Sequence, residues 1–555
     1  MGLETEFGIM GASPGENPML MSAQVVTAYA RSALPEGTSP RWDYAEEDPL
    51  NDARGWRLQR TAAHASQLTD APAPIAGQAE GSMGPSEQAA APGDQSATPA
   101  DDAPQAWPGI REQRRGMLEP DQGLVANAVL PNGARFYVDH AHPEYSGPET
   151  TGPRAALVWD RAGDEIALRA SRLLAQHPTL PTVMLYKNNT DGKGASYGTH
   201  ENYLVERQVP FDDIITYLTP FLVTRQIFCG AGRVGLGQDS EQAGYQISQR
   251  ADFIEAEVGL ETTLRRPIIN TRDEPHADPE VYRRLHLIVG DANLVQVSNY
   301  LKLGTTALVL WLLEAGEVPL ELAALRLADP VGAIQAVSRD LTLTEELDLE
   351  DGRTMTALQI QQVYADVISR AVAEHAAQSG APSAVATSDE TSDVLTRWHD
   401  VLVRLTKDPA QCSREVEWVA KLRLLEGMRR RHGTDWGDHR LAAMDLQWSD
   451  LRPEKGIYAR LAAAGGVEIL VSDAEVEQAI SRPPQDTRAY FRGEAIRRYG
   501  AQIHAASWEA VIFDLPERAN LLRIPTTDPY RGTAEHIHDL LETHPEAAGL
   551  VGALT

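Results

Sequence analysis

Cysteine is nearly absent: Cys229 and Cys412 are the only two in 555 residues, far apart and outside any CxxC pair. That excludes a disulfide framework and a thiolate zinc site, and fits a reducing compartment. Positive charge is also in short supply, with 50 Lys and Arg against 79 Asp and Glu and a formal charge of −29. Neither nucleic acid nor an anionic membrane is expected as a partner, because both need a basic footprint. No apolar run is long enough to span a bilayer. The most apolar, "GTTALVLWLLEAG" (304–316), ends in Glu314 and Gly316 and predicts a buried helix with a glycine stop. The N-terminus carries Glu4 and Glu6 where a secretory signal would be basic and then apolar, so a cytoplasmic location is expected. We read the chain as lacking GxxxxGK[ST] and GxGxxG, and "DGKGASYG" (191–198) as a flexible turn, so P-loop and Rossmann readings are set aside.

What is present is length, enough for a large core and more than one domain. Residues 1–10 predict a strand with Glu4 and Glu6 on one face and Thr5 and Phe7 on the other; 23–34 predict a helix. Residues 41–60 are loop-like but rich in Trp, Tyr and Arg. From 62 to 118 the composition turns to Ala, Pro, Gly, Gln, Ser and Asp, too apolar-poor to offset the entropy of ordering. We read this as a disordered insertion, because strand-like sequence resumes at "GLVANAVLPNGARFYVD", where Pro-Asn-Gly marks a hairpin. Strands are expected at "TVMLYKNN" and "RRLHLIVGD", and helices at "DEIALRASRLLAQH" and "TALQIQQVYADVISRAVAEHA". Helix dominates from about 300 to 465, with a Ser/Thr/Asp/Ala-rich break near 378–393. A boundary at "ISRPPQDTRAY" divides a large first part, 1–479, from a small C-terminal domain, 480–555.

Two short strands place polar groups on one face: Glu4 and Glu6 on the first; Arg135, Tyr137 and Asp139 on the second. A solvated sheet face is the plain reading of either alone. Converging carboxylates raise each other's pKa unless cations sit between them, and magnesium takes such hard oxygens with phosphates completing its shell. "GTHENYL" adds His200, Glu201 and Asn202. "INTRDEPHADPEVYRRLHLIVGD" adds Arg272, Arg283, Arg284 and His286, arginines suited to anionic oxygens. Composition and spacing take this as far as a Mg-nucleotide site on a sheet.

The segments "GLETEFGIM", "NGARFYVDHAHPEYS", "LYKNNTDGKGASYGTHENYL", "PFLVTRQIFCGAGRVG", "LKLGTTALVL" and "DTRAYFRGE" resemble the enzymes that attach and remove the prokaryotic ubiquitin-like protein, Pup. The resemblance implies an α+β fold like that of glutamine synthetase and the carboxylate–amine ligases: a curved antiparallel sheet cradling the nucleotide, backed by helices. "DHAHPEYS" and "RWDYAEEDPLNDARGW" are similar to the deamidase/depupylase branch rather than to the Pup ligase branch. That implies conversion of Pup's C-terminal Gln to Glu and hydrolysis of the Pup–lysine isopeptide bond, with Mg2+ and ATP, or ADP plus phosphate, as cofactors. Pup and pupylated proteins are the implied partners, with a functional link to the bacterial proteasome. Asp139 is implied as the catalytic carboxylate. Glu6, Tyr137 and Glu144 would hold one magnesium, Glu4, His200 and His286 a second. Arg135, Asn202, Arg284 and Arg272 would lie at the nucleotide phosphates, Trp508 would border the nucleotide, and Pro143 would turn Glu144 back towards it. Arg265, Arg266 and Arg488 are candidate cations for the Pup groove. The alternatives are a Pup–protein ligase and a non-catalytic Pup-binding regulator.

Overall fold

The computed structural model describes residues 1–13, 15–34, 38, 40–63, 125–316, 318–378 and 388–555. The described residues of 1–63 and 125–555 form one compact unit. The insertion expected at 62–118 lies, from residue 64 onward, outside the described residues.

The site is built on a six-stranded sheet. Its strands are β1 (Gly2–Glu6), β2 (Asn127–Val129), β3 (Arg135–Asp139), β4 (His142–Ser146), β5 (Thr199–Glu206) and β6 (Tyr282–Leu287), in the spatial order β6-β5-β1-β4-β3-β2. Every neighbouring pair is antiparallel. Alternation along each strand buries Leu3, Phe136, Tyr145, Tyr203, Val205 and Leu285 on one face. Helices cover that face: α1 (Pro18–Ala33), α2 (Pro153–Ala175) and α3 (Gln296–Glu314). α1 begins where Asn17 accepts a hydrogen bond from the Leu20 N–H and Pro18 takes the first position, where a missing N–H costs nothing. α3 is buried nearly all round and ends before Gly316, whose φ of +78° suits glycine.

Several boundaries differ from expectation. Residues 1–10 are two strands, because the chain turns at buried Phe7: its N–H donates to the Pro143 carbonyl, and Gly8–Gly11 pairs instead with Val183–Tyr186. The helix expected at 23–34 starts five residues earlier, at Pro18, because the Asn17 cap and Pro18 precede the apolar pattern. The Pro-Asn-Gly hairpin joins β2 to β3 as expected, with Gly133 at φ +80°. The next turn is not at the His-Pro-Glu. His140 and Ala141 make it, both at positive φ, while Pro143 sits inside β4 opposite Val138. The break near 378–393 ends at Ser388, which caps a helix over Asp389–Lys407; residues 379–387 lie outside the described set. Gly230, Gly232 and Gly235 do satisfy GxGxxG, but the run leads from a helix into a strand, the reverse of the dinucleotide-binding order, so a Rossmann unit is still excluded.

The chain's last part contributes a second sheet, Ile503–Ala506, Ala510–Phe513 and Leu522–Pro525, which Arg41–Trp42 extends by parallel pairing. No helix among the described residues is long and apolar enough to cross a membrane.

Candidate active site

Residues two apart on a strand share a face, and pairing carries that parity across the sheet. Glu6 stands opposite Glu144, and Glu144 opposite Tyr137. The next row runs over four strands: Arg135, Ser146, Glu4, His200. Asn202 faces Gly2 and His286, and Arg284 follows two residues away on β6. Asp139 ends β3 opposite His142. The expected acidic and imidazole ligands thus share the sheet face opposite the helices.

Two clusters result. Ligand atoms of Glu6, Asp139 and Glu144 lie within 4.8 Å of one another, as do those of Glu4, His200 and His286. Asp139 therefore stands with the carboxylates expected to hold the first ion, and Tyr137 stands opposite Glu144 beside them. Crowding has its electrostatic cost. Burial, then the charges of Asp139, Glu6 and Glu4, push the Glu144 carboxyl well above the usual range. Burial, then Glu144, raises the Tyr137 phenol too. Burial also opposes the Asp139 charge, but the hydrogen bond from His140 and its charge hold this carboxyl low. Burial and then Arg284 keep His286 well below its ordinary value, hence neutral and able to coordinate. These donors fit divalent cations: three hard carboxylates suit magnesium, and one carboxylate with two imidazoles suits a second divalent ion.

Beside the second cluster an open cleft is lined among others by Leu3, Leu204, Arg284, Arg488, Trp508 and Tyr530. Its apolar walls and few cations fit a nucleotide. Arg284 donates to Asn202 Oδ1 at 2.6 Å and to the Glu274 carbonyl at 2.8 Å, and Asn202 donates to Glu4 at 3.1 Å. Arg272 is half-buried near Glu274, Arg284 and Glu4. Trp508 meets Trp42 edge-on at 5.1 Å. Arg135 is already held: its guanidinium lies between the rings of Trp42 (4.1 Å) and Tyr137 (3.8 Å) and donates to Asn127.

Two of the groove candidates need correction. Arg488 is buried against Glu149 inside the cleft, so no partner protein can reach it. Arg266 is half-buried and donates to the Ser196 and Thr262 carbonyls. Arg265 is exposed. Three functional candidates were missed. Arg250 is 1 % exposed, and its Nε and Nη2 have no partner among the described residues, while the Glu6 charge reaches it. Nothing in "SQRADF" signals this, since a single arginine has no periodicity. Glu47 lies 3.9 Å from Arg135, accepts from the Trp42 indole, and is pushed up to about 7 by burial. Glu149 receives Arg488 and Arg492.

The same chain matches the family model described as Pup-ligase protein over residues 1–512. The chain belongs to the Pup-ligase family. Within the Pup-ligase family, it is 50 % identical to the depupylase of Acidothermus cellulolyticus over all of this chain and 99 % of that one. It is 47 % identical to the Pup deamidase/depupylase of Mycobacterium tuberculosis over 100 % and 98 %. The Pup–protein ligase of Xylanimonas cellulosilytica is 40 % identical over 76 % of this chain and 91 % of the ligase. The fold matches the ligase PafA in its complex with Pup at a TM-score of 0.71 and 30 % identity, covering 98 % of this chain and 91 % of that one. PafA in complex with ADP matches at 0.67 and 34 %, over 81 % and 96 %. The fold is α+β and glutamine-synthetase-like, as the resemblance implied, and the chain is an enzyme of this family, nearer in identity to these two depupylases than to the ligase.

Proposed function

We propose that this chain deamidates the C-terminal Gln of Pup and hydrolyses the isopeptide bond between Pup and substrate lysines. The observation that carries this reading is full-length identity of 47–50 % to proteins named for that activity, against 40 % over 76 % of the chain for a ligase. Both reactions break an amide at the same side-chain carbonyl carbon, so one site serves both. Asp139 activates the nucleophile that attacks this carbon; ammonia or the lysine amine then leaves. Hydrolysis of an amide runs downhill, so the nucleotide is a cofactor rather than a fuel. Glu6, Tyr137 and Glu144, and Glu4, His200 and His286, would hold two magnesium ions, which supply charge neutralisation and polarise bound oxygens. Arg284, Asn202 and Arg272 would meet the phosphates of ATP, or of ADP plus phosphate, with Arg135 braced at the edge and Trp508 bordering the nucleotide. PafA's complex with ADP supports the nucleotide. Residues 480–555 are proposed as a small C-terminal domain, the enzyme as cytoplasmic, and its work as linked to the bacterial proteasome.

The test is mass spectrometry of Gln-ended Pup incubated with the protein, magnesium and nucleotide. The wild type should produce the amide-to-acid mass change. Asp139→Asn should abolish it with Pup affinity intact, because the carboxylate acts in the reaction and not in docking. Accumulation of conjugate from Glu-ended Pup, ATP and a target protein would identify a ligase instead.

A further inference from the structure

The turn between β3 and β4 is costly for its sequence. His140 and Ala141 sit at φ +41° and +73°, the two central positions of a tight hairpin, where Asn-Gly is favoured and other residues are strained. Such strain persists where surrounding contacts over-determine it, and it marks sites with a geometric task. The contacts are here. Ser22 of α1 donates to the Ala141 carbonyl at 2.7 Å, and His142, stacked 4.3 Å from Tyr197, bonds the Phe7 carbonyl at 3.0 Å. What the fixed tip accomplishes is visible at its first residue: His140 Nδ1 lies 2.7 Å from Asp139 Oδ2. An extended residue at 140 would send its side chain away from that of its neighbour, as successive residues of a strand do; the left-handed backbone folds it back.

We propose that His140 is a positioning residue for the amide-cleaving reaction: its Nδ1–H grips one oxygen of Asp139 and fixes the carboxylate's orientation towards the Glu6–Glu144 cluster. The inference rests on the reading of Asp139 as the catalytic carboxylate. An unheld carboxylate at a hairpin end rotates about χ2 and spends most of its time misdirected, and small misplacements at a reacting centre lower turnover steeply. Binding is unaffected, because His140 holds Asp139 and not the substrate.

Three substitutions separate the side chain from the backbone. His140→Gly keeps the positive φ at no strain and removes the donor; kcat for deamidation of Gln-ended Pup should fall by about 10- to 100-fold, the worth of a hydrogen bond to a charged group. KM, Pup affinity and nucleotide affinity should stay within about threefold, and Tm should hold or rise, since glycine relieves the strain. His140→Asn tolerates the same φ and puts an amide N–H where Nδ1 stands, so it should recover most of kcat. In an Asp139→Asn background, His140→Gly should change nothing further. A His140→Gly enzyme within about twofold of wild type, beside an inactive Asp139→Asn, overturns the proposal and leaves the role of Asp139 standing. Full turnover by Asp139→Asn overturns the underlying reading itself. A lowered Tm with no rescue by asparagine assigns His140 a structural role only and also overturns the proposal.

Discussion

Arg250 is the residue that least resembles a product of selection for stability. Its guanidinium is buried, has one hydrogen bond to the Tyr197 carbonyl, and leaves Nε and Nη2 without partners among the described residues. Burial, with Arg266 beside it, pushes its pKa down to about 9 despite the Glu6 charge. A buried cation short of partners is destabilising, and its retention calls for an anionic oxygen that pairs with it during function. Replacing it with Met removes the charge at similar volume. Arg250→Met should lower deamidation by about 10²- to 10³-fold, the scale of a lost oxyanion or phosphate donor. It should leave Tm unchanged or higher, as calorimetry in the absence of nucleotide would report. A variant that is both active and destabilised would make Arg250 a packing residue. The alternation of Arg135, Tyr137 and Asp139, with Glu4 and Glu6, was legible because a period of two is written in the order of residues. Arg250 was not, because the lack of a partner is a property of space.

At the scale of elements, the sequence announced the hairpin at Pro131-Asn132-Gly133 by its turn chemistry and concealed the one at His140-Ala141, which carries none. The His-Pro-Glu drew the eye because proline usually breaks pairing. Pro143 is tolerated in β4, and its carbonyl accepts the Phe7 N–H that redirects the chain out of β1. The long strand expected at 1–10 failed for the same reason: the alternation is continuous, but its two halves pair with different partners. The hidden turn makes a stability prediction. Ala141 has φ +73° and is tied to Ser22 only through its carbonyl, so Ala141→Gly keeps the contact and relieves the Cβ clash. It should stabilise the protein, read from the urea midpoint, with deamidation preserved, because the left-handed strain removed, about 1–2 kcal/mol, exceeds the entropy that glycine adds to the unfolded chain, about 0.4–1 kcal/mol. A loss of stability would show that the alanine methyl packs more than its backbone strains.

At the scale of the whole molecule, the site depends on contacts between distant stretches of chain. Arg41–Trp42 pairs in parallel with Ala505–Ala506, an association no local pattern reveals, and it delivers Trp42 both to Arg135 and to Trp508. Glu149 performs the corresponding task beyond β4. Arg488 donates to it at 2.7 Å, Arg492 bonds it as well, and Arg492 also lies over Trp508 at 4.8 Å. Burial alone would raise the Glu149 carboxyl, but the charges and hydrogen bonds of Arg492 and Arg488 outweigh it and hold it at about 2, against an ordinary 4.5. Because the folded value is depressed, this carboxylate contributes fully above the unfolded pKa, and its contribution is lost as pH falls from about 4.5 towards 2. The depression corresponds to on the order of 3 kcal/mol. Glu149→Gln keeps the shape and removes the charge, leaving two buried arginines with backbone hydrogen bonds but without this counter-charge. It should destabilise the fold by on the order of 3 kcal/mol at neutral pH and weaken nucleotide binding, since Glu149, Arg488 and Trp508 line one cleft. Denaturant curves for the two proteins should converge as pH falls from about 4.5 towards 2, where protonation of wild-type Glu149 sets in. A gap that stays constant from neutral pH to pH 3 would show that the glutamate holds the two parts of the chain together by shape and hydrogen bonding, not by charge.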